Sequence, residues 1–172
     1  MAYYIGIDPG IHGAIAILDS HGKLLFVEDI PILSDGAKSR STINAPLLVD
    51  MLRKTYAVEA YVELVGVRPG EGAVGAFAFG RCRGVIEGAL AGCGIPMTLI
   101  APPTWKKICG IPAGKLGAKD AARSKAIGRW PDRAHEFKRV KDADRAEAAL
   151  IAYAGLVRFN KLEKAAFDDV EF

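Results

Sequence analysis

Apolar and polar positions alternate in short runs through the first third of the chain, and the runs are separated by turn chemistry. Residues 3–8 form an apolar run that ends in Asp8-Pro9-Gly10, a strong turn signal. Residues 13–19 give a second predicted strand, Ser20-His21-Gly22 a second turn, and residues 24–30 a third strand. Turns this short join antiparallel neighbours. A polar loop is expected over residues 34–41. Asn44 or Thr42 can then cap a helix to about Tyr56 that carries Leu47, Leu48, Met51 and Leu52 on one face. A strand over 58–65 follows a helix, so it should run parallel to the first. After a glycine-rich loop (66–75), a helix is predicted over 76–91. Its Gly80, Gly84, Gly88 and Ala89 suggest close packing on the sheet or on a second subunit. A fifth strand (96–101), a short helix (105–109), a helix over 119–130 stopped by Pro131, and a final helix over 144–159 complete the pattern. Residues 160–172 lack periodicity and are expected to form a flexible tail.

The chain has 172 residues, which suits one domain over 1–159 followed by that tail. The three cysteines fall in no metal-binding spacing and are expected to be reduced. No apolar stretch is long enough to span a bilayer, and MAYYIGIDPG lacks the pattern of a signal peptide. The expected location is cytoplasmic, with no membrane association.

Net charge is +3, but it is distributed unevenly. Between Pro103 and Lys141 eleven Lys/Arg stand against three Asp/Glu, a net +8; the remaining twelve basic and seventeen acidic residues leave −5. Such a block fits either a polyanionic partner or a solvated helical face.

The acids are more informative. Asp8 closes the first strand, where it is either a turn former or a ligand. Glu63 interrupts the apolar run Tyr61-Val62-Glu63-Leu64-Val65, and an ionised Glu there must be paired, metal-bound or on a solvent face. Asp142, Asp144 and Glu147 open the last helix. Asp144 and Glu147 share a helical face, although the same spacing also makes a capping box. Two-metal phosphodiester hydrolysis needs carboxylates from distant segments converging on one point, and clustered acids favour a cation as compensation.

Together these stretches resemble the RuvC-type Holliday-junction resolvases, especially their short phage and prophage forms. YIGIDPGIHGAIAILD resembles the first catalytic strand, YVELVGVRPGEGAVGAFAFGRCRGVIEG the second with its F-x-F-G-R helix, and KDADRAEAALIAYA the closing acidic helix. The resemblance spans most of residues 3–154. It implies an RNase H-like α/β fold: a mixed five-stranded sheet, three antiparallel strands and then parallel ones, flanked by helices. It also implies a homodimer, two Mg²⁺ per active site with Mn²⁺ as a substitute, and paired nicks across a four-way junction. Asp8, Glu63, Asp144 and Glu147 match the metal-binding acids, with Glu147 where the bacterial form has Asp. The register also leaves Asp142 open as the ligand in place of Asp144. Lys119 matches a position where the family often carries a catalytic lysine, and it also reads as a surface residue.

Candidate DNA contacts are Arg81, Arg83, Lys106, Lys107, Lys115, Lys119, Arg123 and Arg129, together with Arg68 beside the Pro-Gly loop. Phe77 and Phe79 read either as core residues or as a base-stacking platform. Trp105 and Trp130 read as packing anchors. Three further readings stay open: a nuclease acting on flaps or RNA–DNA hybrids, a non-catalytic module binding branched DNA, and an actin-like ATPase. The first strand also resembles the phosphate loop of that last class, which needs two such lobes.

Overall fold

In the computed structural model the alternating runs become strands β1 (Tyr3–Asp8), β2 (Ala14–Asp19) and β3 (Leu24–Asp29). The structure describes residues 2–35, 40–66, 70–112 and 117–168, without the side chains of 35, 40 and 159–168. Arg68, Lys115 and residues 169–172 of the expected tail lie outside the described residues.

The loop expected over 34–41 is replaced in part by a hairpin, β4 (Ile32–Asp35) and β5 (Arg40–Ile43), which forms a small separate sheet. Its alternation is too short and too polar to stand out from a loop in the sequence. Helix α1 (Ala45–Arg53) is capped by Asn44, whose side chain accepts from the Leu47 amide at 3.2 Å. Then come β6 (Glu59–Glu63), α2 (Ala73–Gly92), β7 (Met97–Ile100), α3 (Pro102–Ile108) and α4 (Ala118–Arg129). Two 3-10 segments, Pro131–Phe137 and Val140–Asp142, lead into α5 (Ala143–Asp168), which continues past residue 159.

The main sheet has the order β3-β2-β1-β6-β7, antiparallel across β1, β2 and β3 and parallel across β1, β6 and β7. This is the mixed five-stranded arrangement the sequence predicts. Helices α1 and α2 cover one face, burying Ile5, Ile7, Ile15, Ala60 and Val62 with Leu48, Leu52, Ile86 and Leu90. The other face carries Tyr4, Tyr61, Ala16 and Leu18 and is covered by α3, α4 and α5. On α2 the aliphatic residues Ile86 and Leu90 make the sheet contact, while a Cβ built on Gly80, Gly84 or Gly88 would meet only open space. No described helix is long and apolar enough to cross a membrane.

Small residues decide how near α5 comes. A Cβ on Gly6 would lie 2.1 Å from the Ala148 carbonyl oxygen, and one on Gly155 would lie 2.2 Å from the Tyr61 ring. Only glycine at these two points lets the helix lie directly on β1 and β6. The stripe Ala148, Ala152 and Gly155 makes this contact, and the same helical face continues one turn earlier through Glu147 and Asp144.

Candidate metal centre at the end of the sheet

Strand periodicity aims the first two acids. The pairing Ile7↔Val62 sets Asp8 and Glu63 level on adjacent parallel strands. Ile7 and Val62 point into the α1–α2 core, so Asp8 and Glu63, one residue on, point to the α5 face. Asp144 and Glu147, on the stripe that α5 lays against that face, arrive over the same sheet end. Ligand atoms of Asp8, Asp144 and Glu147 all lie within 4.8 Å of one another. Among the described residues this is the group of three or more His, Cys, Asp or Glu placed to hold a metal ion.

Glu63 is 8% exposed, and its Oε1 accepts a hydrogen bond from Trp105 Nε1 at 2.8 Å. It remains coupled to the group electrostatically. Burial, and then the charges of Glu63, Glu147 and Asp144, hold the Asp8 carboxyl well above the usual carboxylate range. Burial first, then Glu63 and Asp144, push Glu147 up to about 7, against Lys106 and Lys119. Lys119 Nζ donates to Asp144 Oδ1 at 2.8 Å, and that bond raises the lysine's own pKa. The oxygen donors of Asp8, Asp144 and Glu147, gathered so closely, fit a hard divalent cation.

Asp142 is held differently. It accepts from the Arg139 backbone amide at 2.8 Å and from the Arg139 guanidinium at 2.8 and 3.0 Å. Burial pushes its carboxyl up, but the hydrogen bonds and charge of Arg139 outweigh this and hold it below the usual range. It lies outside the group formed by Asp8, Asp144 and Glu147. Next to it, Arg145 donates to Asp29 Oδ1 at 2.6 Å and to Glu136 Oε2 at 3.4 Å, tying the start of α5 to the end of β3.

Searched as a sequence, the chain matches no family model and no curated protein. Compared as a structure, it matches Thermus thermophilus RuvC in complex with a Holliday junction substrate, with a TM-score of 0.65 at 17% identity, covering 91% of this chain and 96% of that one. A second Thermus thermophilus RuvC structure matches with a TM-score of 0.61 at 18% identity, covering 92% and 96%. The fold is that of RuvC. It is the RNase H-like fold that the resemblance implied.

The basic residues divide into two kinds. Arg123 is committed internally: its guanidinium donates to the Phe137 and Lys138 carbonyls at 3.1 and 3.0 Å and to Asp120 at 2.7 Å. Arg129 stacks on the Tyr153 ring at 3.9 Å, and Arg83 pairs with Glu87 at 2.6 Å. Arg81 and Lys107 are exposed, and Lys106 lies 5.2 Å from the Trp105 ring centroid. Phe77 is 75% exposed, so it is not a core residue, whereas Trp105 and Trp130 are buried as packing anchors. The contact of Trp105 with Glu63, and the pull of Lys106 on Glu147, were not read from the sequence. A usable signal was present: Pro-Pro-Thr-Trp-Lys starts a helix directly after a predicted strand that neighbours the one ending in Glu63.

Proposed function

We propose that the protein is a metal-dependent endonuclease that resolves four-way DNA junctions by paired nicks, acting as a homodimer. The observation that carries this reading is the convergence of Asp8, Asp144 and Glu147 within 4.8 Å beside Glu63, at one end of a RuvC-like sheet. In this reading Asp8, Glu63, Asp144 and Glu147 hold two Mg²⁺, with Mn²⁺ able to substitute. When bound, such ions supply a water activated for attack and neutralise charge on the leaving 3′ oxygen. Asp8, level with Glu63 and facing α5, would be one of the residues holding such an ion.

Lys119 holds Asp144 in the metal-free protein and adds positive charge beside the scissile phosphate when DNA is bound. Arg68, Arg81, Arg83, Lys106, Lys107, Lys115 and Arg129 are the proposed phosphate contacts, with Phe77 exposed for stacking on an unpaired base. Arg123, spent on the 3-10 segment, contributes by holding that segment in place. A nicking assay on four-way, forked, RNA–DNA hybrid and linear substrates, with and without Mg²⁺, tests the assignment. Symmetrical Mg²⁺-dependent nicks in the four-way substrate are expected. Preference for the hybrid or the fork would reassign the substrate. Junction binding with no cleavage in any divalent metal would make the protein a binding module.

A further inference from the structure

Strand pairing sets up a contact that the acidic group itself does not explain. Glu63 is level with Ile100 on β7, and the Leu64 amide donates to the Ile100 carbonyl at 2.8 Å. Pro102 and Pro103 start α3 immediately afterwards, so its fourth residue, Trp105, swings back over β6. The indole has no solvent exposure, and its N–H reaches Glu63 Oε1 at 2.8 Å. A buried indole needs an acceptor, and a backbone carbonyl ordinarily serves. Trp130 follows that rule, donating to the Gly22 carbonyl at 2.9 Å. Trp105 donates instead to a carboxylate at the edge of the proposed metal centre.

We propose that Trp105 is a positioning residue whose indole N–H fixes the Glu63 carboxylate in the orientation in which it meets a divalent cation. This rests on the metal-centre reading above, but not on the choice of DNA substrate. A neutral donor stabilises the ionised carboxylate without placing a positive charge where the cation must bind, which a Lys or Arg there would do. The indole is buried in the core with Tyr61 of β6 and residues of α5, so the donor it offers the Glu63 carboxylate is held in place. The adjacent Lys106 acts on Glu147, so one turn of α3 presents a neutral donor to one acid and a cation to another.

The chain has two tryptophans, so a ¹⁵N spectrum of the full-length protein should show two indole resonances, assigned with Trp105→Phe or Trp130→Phe. On Mg²⁺ titration the Trp105 resonance is expected to shift and saturate while that of Trp130 stays. Trp105→Phe keeps a ring but removes the donor. Manganese affinity read by electron paramagnetic resonance should fall about tenfold or more. Glu63→Gln should also weaken binding, and the double variant should bind no more weakly than Glu63→Gln alone. Affinity within twofold of wild type in Trp105→Phe, or additive losses in the double variant, would overturn the role. Should Trp105→Phe fail to fold, a Trp105 resonance in the wild type that ignores saturating Mg²⁺ overturns it too. A wild type that binds metal and nicks junctions beside an indifferent Trp105→Phe sinks this inference alone; a wild type that binds no divalent ion sinks the metal centre as well.

Discussion

Two acidic clusters flank the first turn of α5, and they are compensated in opposite ways. On the β3 side, Asp29, Glu136 and Asp142 meet Arg133, Arg139 and Arg145, each acid within ion-pair distance of a guanidinium. On the β1 side, Asp144 pairs with Lys119, which is 67% exposed, and Lys106 acts on Glu147 through its charge. The first cluster is closed by the protein's own cations and stabilises the entry to α5. The second gathers acids that raise one another's pKa in a partly buried place, an arrangement that costs stability and that a bound cation would relieve. Asp142 and Asp144 are two residues apart, yet the helix turns them to opposite clusters. Which of these acids is closed by an ion pair with a guanidinium is decided here by which neighbours supply one.

The largest effect should come from exchanging one acid in each cluster. Asp8→Asn is expected to lower cleavage about a thousandfold, roughly 4 kcal/mol of transition-state stabilisation, while junction binding persists. Asp142→Asn should keep cleavage within about tenfold and instead lose about 1–3 kcal/mol of stability, read by denaturant unfolding. The reverse pattern would exchange their roles.

Gly6→Ala probes the approach of α5 that brings the β1 cluster together. With its new Cβ only 2.1 Å from the Ala148 carbonyl oxygen, the variant should lose about 3 kcal/mol and bind Mn²⁺ more weakly. An unchanged Tm would mean that the helix does not need this contact.

Divalent metal should stabilise one cluster and ignore the other. At about a hundred times its Kd, Mg²⁺ should add about 2.7 kcal/mol to the wild type and to Asp142→Asn, but little to Asp8→Asn. Thermal scans with and without chelator read this directly.

Without metal, pH should separate the clusters by sign. Glu147 titrates near 4.5 when unfolded and at about 7 when folded, so between those values the native state binds more protons. Stability from this group is complete below about pH 4.5 and falls as pH rises through 7, by about 1–3 kcal/mol. Glu147→Gln should flatten that decline. Asp142, whose carboxyl is held low, contributes in the opposite direction: its stabilisation is present above the unfolded value and is lost on acidification. The smallest effect is expected for Lys119→Met. The exposed pair with Asp144 should change unfolding free energy by less than about 1 kcal/mol.

The β1 cluster was legible from the sequence mainly through the family resemblance, to which Glu63 added the clearest break in a local pattern. Asp8 ends an apolar run at a turn, Glu63 sits where an apolar side chain belongs, and Asp144 and Glu147 share a helical face. The β3 cluster was not legible: Asp29, Glu136 and Arg145 are ordinary surface types in sequence, joined only when the end of β3 meets α5. The hairpin β4–β5 escaped for a similar reason, since four-residue strands carry too few alternations to exceed a loop's own variation.

The sequence by itself determined the order of elements other than the β4–β5 hairpin, and the alternation that points Asp8 and Glu63 to one face. These follow from strand and helix periodicity, which are local properties of the backbone. The expectation of close packing on the sheet at Gly80, Gly84 and Gly88 was not met, and the close contacts fall at Gly6 and Gly155. Only the tertiary structure grouped Asp144 with Asp8 and Glu147 and set Asp142 on Arg139, spent Arg123 on a backbone segment, and gave Glu63 a tryptophan donor. Each of those outcomes depends on charge and hydrogen-bond partners brought from distant parts of the chain, and a partner's identity is not written in the residue that needs it.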